Sequence, residues 1–115
     1  MTFFAVLAFA LSAPAIAQDF RTIDKKAEFV KAVRGKTLTR FGITLNVSTE
    51  GQIDGRAFGR PVSGGWAWKG GFFCRDLYWG ERGLGYNCQR VKLNGRTIRF
   101  ISDRGAGMYA DLKLK

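Results

Sequence analysis

Residues 71–89 read GFFCRDLYWGERGLGYNCQ and contain both cysteines of the chain. Glu81 lies midway between Cys74 and Cys88 in a glycine-rich segment, so a hairpin centred there places the two cysteines opposite each other. Cross-strand neighbours approach closely enough for a disulfide, and we predict one between Cys74 and Cys88. A redox or metal-binding pair is the alternative, but it lacks the Cys-x-x-Cys spacing.

The rest of the chain continues the strand pattern outward from this hairpin. Apolar and polar residues alternate in short runs that are separated by glycine-rich turns, with a bend or bulge near Thr39 and Arg40. The spacing predicts about seven antiparallel strands that form a small barrel or curled sheet. The predicted strands lie near residues 41–47, 52–59, 61–69, 71–79, 86–93, 96–102 and 108–114.

One amphipathic helix is predicted before the strands. Its N-terminal cap is Thr22 or Asp24, its apolar stripe includes Val30 and Val33, and Gly35 ends it. We expect this N-terminal helix to pack across the sheet. The fold class is therefore mainly β (α+β), with one disulfide.

The first 17 residues have the features of a secretory signal peptide. They carry no charged side chain, and an apolar run is followed by Pro14 and by the small-x-small triplet that ends at Ala17. We predict cleavage after Ala17, which leaves a single domain over residues 18–115 in the periplasm or secreted, and not membrane-spanning. An uncleaved N-terminal anchor is the alternative.

Composition argues against most enzyme classes. The 115 residues include 19 Lys and Arg against 9 Asp and Glu, which gives a net charge of +10, and there is no histidine. Histidine is the commonest metal ligand and general base. The chain also lacks a dinucleotide fingerprint, a phosphate-binding loop and a nucleophile elbow. We expect a non-enzymatic protein without metal or cofactor.

The basic residues instead indicate an anionic partner. Guanidinium groups bind phosphate and carboxylate through paired hydrogen bonds, and several arginines on alternating strands could share one face. Trp66, Trp68 and Trp79 form either core or binding surface, and the pattern leaves both open. The candidate anion-binding residues are Arg56, Arg60, Lys69, Arg75, Arg82, Arg90, Arg96, Arg99 and Arg104.

Three motifs carry a resemblance to known proteins. The runs SGGWAW (63–68), GFFCR (71–75) and NCQ (87–89) are similar to a group of small exported alphaproteobacterial proteins of uncharacterised function. This resemblance implies a β domain that is crosslinked by a disulfide between Cys74 and Cys88, and it implies no activity. Some members carry a dihydrodipicolinate reductase label, which the missing nucleotide fingerprint does not support here.

We therefore expect a binding module that contacts an anionic envelope component, either lipid or polysaccharide, through an Arg- and Trp-rich surface. Nucleic acid is an uncommon partner outside the cytoplasm. The alternative is an inhibitor or partner of another, acidic exported protein, acting through loops 80–85 or 103–107. Small periplasmic β-barrel inhibitors of hydrolases resemble this chain in size, in their single disulfide and in a Trp-containing strand.

Overall fold

The computed structural model describes residues 19–115, so the predicted signal peptide and Gln18 lie outside the described residues. Within this range there are nine strands, one helix α1 (Lys26–Val33) and a short 3-10 turn at Asp103–Gly105. The strands are β1 (Arg21–Ile23), β2 (Leu38–Arg40), β3 (Ile43–Val47), β4 (Gln52–Ala57), β5 (Arg60–Lys69), β6 (Phe72–Trp79), β7 (Arg82–Asn94), β8 (Thr97–Ile101) and β9 (Tyr109–Leu114).

Strands β2 to β9 form a closed antiparallel barrel. Each strand pairs with its neighbours in the order β7-β6-β5-β4-β3-β2-β9-β8, and β8 pairs back with β7 to close the circle. The short β1 pairs with residues 91–93 of β7, beyond the part of β7 that pairs with β6. A mainly β fold with a barrel is therefore confirmed.

The strand count differs from the sequence prediction of about seven. All seven predicted strands correspond to β3–β9, and β1 and β2 are additional. Residues 21–23 form a strand instead of the start of the helix, because Ile23 is fully buried and pairs with Val91. The predicted bend near Thr39 is the separate strand β2, which pairs with both β3 and β9. In both places, pairing with distant strands decides the local conformation.

Two glycines allow the sheet to curl into a barrel. A Cβ atom at Gly55 would collide with the backbone of Thr44, and one at Gly64 would collide with the carbonyl of Asp76. The backbones of neighbouring strands therefore approach more closely at these points than a side chain permits. Glycines at such positions let strands bend sharply at the corners of a small barrel.

The helix closes one end of the barrel, which we call the helix end. The Phe29 ring is fully buried, with its centroid 5.1 Å from that of Trp66, 5.0 Å from that of Phe73 and 6.4 Å from that of Phe100. Val33 from the next turn of the helix is also buried. Aromatic clusters of this kind stabilise a core through both buried area and edge-to-face contacts.

The opposite end, which carries the turns at residues 41–42, 58–59 and 80–81, is the open end. Some of its inward positions carry small residues: Gly55 and Ala57 follow Ile53 on β4, Gly64 precedes Trp66 on β5, and Ala110 precedes Leu112 on β9. An eight-stranded barrel is just wide enough for side chains to fill its interior. Of the small residues, Ala110 lines a cavity and Ala57 lines an apolar groove inside the open end, whereas the space beside Gly55 and Gly64 is filled by the neighbouring backbone.

Candidate functional site

Three basic side chains meet two aromatic rings on the outside of the barrel. The guanidinium carbon of Arg90 lies 4.3 Å from the centroid of the Phe72 ring, and that of Arg104 lies 5.5 Å from the same ring. The ammonium nitrogen of Lys69 lies 5.9 Å from the ring of Tyr86. We call Lys69, Phe72, Tyr86, Arg90 and Arg104 the outer basic face.

The disulfide lies within the outer basic face. Cys74 on β6 and Cys88 on β7 face each other across the strand pair and are bonded, as predicted. Alternation along the two strands then places Phe72 and Arg90 on the same side as the sulfur atoms. A shallow depression of about 260 Å³ lies beside the disulfide and is bordered by Lys69 and Arg104 among others.

Arg104 is held in this position by the loop between β8 and β9, which hydrogen bonds attach to β7. The Asn87 side chain donates a hydrogen bond of 2.8 Å to the Asp103 carboxylate and accepts one of 2.9 Å from the Asp103 amide. Both Asp103 and Arg104 have a positive φ of 56°, a conformation that is uncommon outside glycine. The loop between β8 and β9 therefore has a defined shape that directs Arg104 toward the ring of Phe72.

The outer basic face retains most of its positive charge. Among residues 19–115, the ion pairs within 4.0 Å include one at this face, between Arg90 and Asp24, whose atoms are 3.7 Å apart. Asp24 is largely exposed, so solvent screens this pair. Lys69 and Arg104 have no carboxylate within that distance in the described part of the chain.

Arg99 lies elsewhere on the surface and is occupied by other contacts. Its guanidinium donates hydrogen bonds of 2.7 and 2.9 Å to the two carboxylate oxygens of Asp111. The same group lies over the rings of Phe20 and Tyr109, at 3.9 and 4.0 Å from their centroids. The hydrogen bonds to Asp111 raise the pKa of Arg99. This arginine is thus paired within the fold.

The remaining predicted arginines on the outside are dispersed. The guanidinium of Arg60 lies 4.6 Å from the ring centroid of Trp79, and Arg56 donates a hydrogen bond to the Gly59 carbonyl. Arg82 begins β7 at the open end. Arg96 lies in the turn between β7 and β8 at the helix end. These four residues do not join Lys69, Arg90 and Arg104.

The three tryptophans belong mainly to the fold. Trp66 is buried in the core, and its indole nitrogen donates a hydrogen bond to the Ser48 carbonyl. Trp68 stacks on Phe29, with ring centroids 5.2 Å apart, and donates to the carbonyl of Asp24. Trp79 is half-buried near the open end and donates to the carbonyl of Ala57.

Arg75 points into the barrel. It lies two positions from Phe73 and from Leu77 on β6, on the same inward face, and one of its terminal nitrogens donates a 2.7 Å hydrogen bond to the Gly85 carbonyl. Burial lowers the pKa of this guanidinium below its ordinary value, although the neighbouring Asp76 carboxylate acts in the opposite direction. Although the sequence predicts Arg75 as one of the arginines of a shared basic face, its side chain lies inside the barrel, apart from Lys69, Arg90 and Arg104.

A cavity that the sequence analysis did not predict lies beside Arg75. Its volume is about 220 Å³, and it is lined by apolar side chains that include Ile43, Leu45 and Leu77. Arg40 and Gln89 are the other polar residues that border it. Ala110, a small residue at an inward position of β9, lines this cavity and is the sequence signal that could have indicated it.

Residues 19–115 contain no cluster of three or more acidic or cysteine side chains that could hold a metal ion. The same part of the chain contains no helix that is long and apolar enough to cross a membrane. Comparison of the chain with protein-family models, with curated proteins and with solved structures finds no match. Proposals about function therefore depend on the geometry of these two regions, the outer basic face and the interior of the open end.

Proposed function

We propose that this protein is a non-enzymatic binding module of the periplasm or the extracellular space, and that its outer basic face contacts an anionic envelope component. The observation that carries the proposal is the convergence of Lys69, Arg90 and Arg104 on the rings of Phe72 and Tyr86. Phosphate and carboxylate groups are the partners that such a cluster favours.

Three features support this proposal. Rings beneath the guanidinium groups restrict their orientation, which reduces the entropy lost when an anion binds. The net charge of +10 also attracts an anionic surface from a distance and speeds association at low salt. A disulfide at the centre of the face keeps β6 and β7 in register and is typical of an oxidising compartment.

Sedimentation with vesicles tests the proposal. We expect binding to phosphatidylglycerol vesicles and little binding to phosphatidylcholine vesicles, with affinity that falls as salt is raised. Replacing Lys69, Arg90 and Arg104 together by Gln should weaken binding about 100-fold, since each basic residue near an anionic surface contributes about 1 kcal/mol. Dextran sulfate, compared with dextran, tests an anionic polysaccharide in the same way.

The matched control removes the same charge from another surface. Arg34, Lys36 and Arg96 are exposed, and replacing them by Gln also removes three positive charges. If the two triple variants lose affinity equally, general charge attraction explains binding and the outer basic face is not a site. Binding of neither vesicles nor dextran sulfate by the natural protein would also overturn the proposal.

A second candidate function is inhibition of, or binding to, another exported protein through the loop at residues 103–107. The observation that favours it is the hydrogen-bonded conformation of this loop, beside which Met108 is 86% exposed. A loop that is already ordered loses little entropy when a partner binds. Replacing Arg104 by Glu should then remove a protein captured from the host's envelope fraction, and an unchanged set of captured proteins would contradict this candidate.

A further inference from the structure

We propose that the interior of the open end binds a single-chain amphiphile with an anionic headgroup. In this assignment the apolar tail occupies the barrel cavity, and the headgroup accepts hydrogen bonds from Arg75. This site is separate from the outer basic face, because Arg75 points into the barrel while Lys69, Arg90 and Arg104 lie outside it.

The space for a tail consists of two neighbouring apolar volumes, one of which lies at the open end. A second apolar groove, of about 320 Å³, adjoins the cavity and shares Ile43, Leu45 and Leu77 with it. Phe58 and Trp79 line the outer part of this groove. Apolar side chains border both volumes, so burying a tail there removes apolar surface from water on both partners.

The headgroup assignment depends on the environment of Arg75. Among residues 19–115, no carboxylate lies within 4.0 Å of its guanidinium, and its one hydrogen bond goes to the Gly85 carbonyl. A guanidinium has five N–H donors, so several remain for a ligand. A half-buried cation without an ion pair is unfavourable, and an anion from a ligand would provide the missing partner.

These features favour an amphiphile over two other ligand classes. A wholly apolar ligand would leave the Arg75 guanidinium without an anion. A polyanion carries many charges and no tail, and it would place charge against Leu45 and Leu77 in the cavity wall. At the open end, Phe41 is 93% exposed and Phe58 is 63% exposed, so an apolar tail meets apolar side chains on its way in.

The test compares laurate with dodecanol, which has the same tail length and no charge. Isothermal titration, below the micelle concentration, and Trp fluorescence follow the binding of each probe. We expect laurate to bind at least tenfold more tightly than dodecanol, since hydrogen bonds between charged groups contribute that much. Affinity should rise about fourfold for each methylene added between octanoate and laurate.

Two variants test the two parts of the site. Arg75→Met should lower the affinity for laurate at least tenfold and leave dodecanol binding unchanged, and Arg96→Met is the control with the same net charge. Leu45→Trp fills the cavity while keeping Arg75, and it should remove the binding of both probes. Circular dichroism and thermal unfolding establish that each variant is folded.

The same variants distinguish a failure of this proposal from a failure of the proposed anion binding at the outer basic face. Arg75→Met should still bind phosphatidylglycerol vesicles, and the triple Lys69, Arg90 and Arg104 variant should still bind laurate. The proposal is wrong if the natural protein does not bind laurate, if laurate and dodecanol bind equally, or if Arg75→Met binds laurate as tightly as Arg96→Met does.

Discussion

The helix end and the open end of the barrel are built from the same alternating strands, yet their interiors differ. At the helix end, Phe29 and Val33 from the helix pack against large inward residues such as Trp66 and Phe73. At the open end the inward positions include small residues such as Ala110 beside larger ones such as Leu77, and the one helix of residues 19–115 lies at the other end. One end is therefore filled by packed side chains, while the other contains an apolar cavity and an adjoining groove.

The largest expected difference between the two ends comes from removing one phenylalanine from each. Phe29→Ala should lower the free energy of unfolding by about 3–5 kcal/mol, because it opens a cavity among four aromatic rings. Phe58→Ala removes the same atoms from a side chain that is 63% exposed and should change stability by less than about 1 kcal/mol. Urea unfolding of both variants measures the difference. Equal losses would show that the open end also belongs to the core.

The disulfide gives the next largest effect. Replacing Cys74 and Cys88 by Ser should lower the free energy of unfolding by about 3 kcal/mol, since the bond closes a loop across 14 positions. Dithiothreitol should have the same effect on the natural protein, which has no free cysteine among its described residues.

Hydrogen exchange of the same variant shows which end the disulfide supports. Beyond the disulfide toward the open end, the β6–β7 pairing has an irregularity between Leu77 and Tyr78. We therefore expect amides 76–86 to lose protection while those of α1 and β8 keep theirs. A uniform loss of protection at both ends would contradict this distinction.

A third prediction exchanges a small residue for a larger one at each end. Ala110→Leu places extra methyl groups in the cavity and should raise the free energy of unfolding by about 1 kcal/mol. Ala32→Leu adds the same atoms beside the packed core at the helix end and should lower it by about 1–3 kcal/mol. Thermal or urea unfolding measures the sign of each change in the free energy of unfolding. Two changes of the same sign would contradict the idea that the helix end is tightly packed and the open end is not.

Much of the barrel could be predicted from the sequence, because the alternation of apolar and polar residues that indicates a strand lies within the strand itself. Each of the strands β3–β9 is long enough to show alternation, and the position of Glu81 between the cysteines set the register of the Cys74–Cys88 hairpin. The three-residue strands β1 and β2 are too short to show a period. Their conformation depends on pairing with β7 and β9, which lie far away in the sequence.

The candidate sites were only partly predictable, for a related reason. Nine basic residues were selected by charge, and three of them meet on the outer basic face because the barrel brings strand ends and one loop together. Arg75 lies two positions from Phe73 and from Leu77, so the alternation along the strand already indicated that it points inward with them. The cavity as a whole was not indicated, since its lining comes from seven strands that surround one space only after the barrel closes.

The smallest expected effect compares an interior arginine with an exterior one. Arg75→Met should leave the free energy of unfolding unchanged or raise it by up to about 1 kcal/mol, because it replaces a half-buried cation without an ion pair by an apolar side chain. Arg99→Met should lower it by about 0.5–1 kcal/mol, because a partly exposed ion pair with Asp111 is lost. Urea unfolding at low salt and at 0.5 M salt separates the two: salt should weaken the effect of Arg99→Met and leave that of Arg75→Met nearly unchanged. A clear loss of stability in Arg75→Met would mean that this arginine supports the open end, and that the interior there is not held ready for an anion.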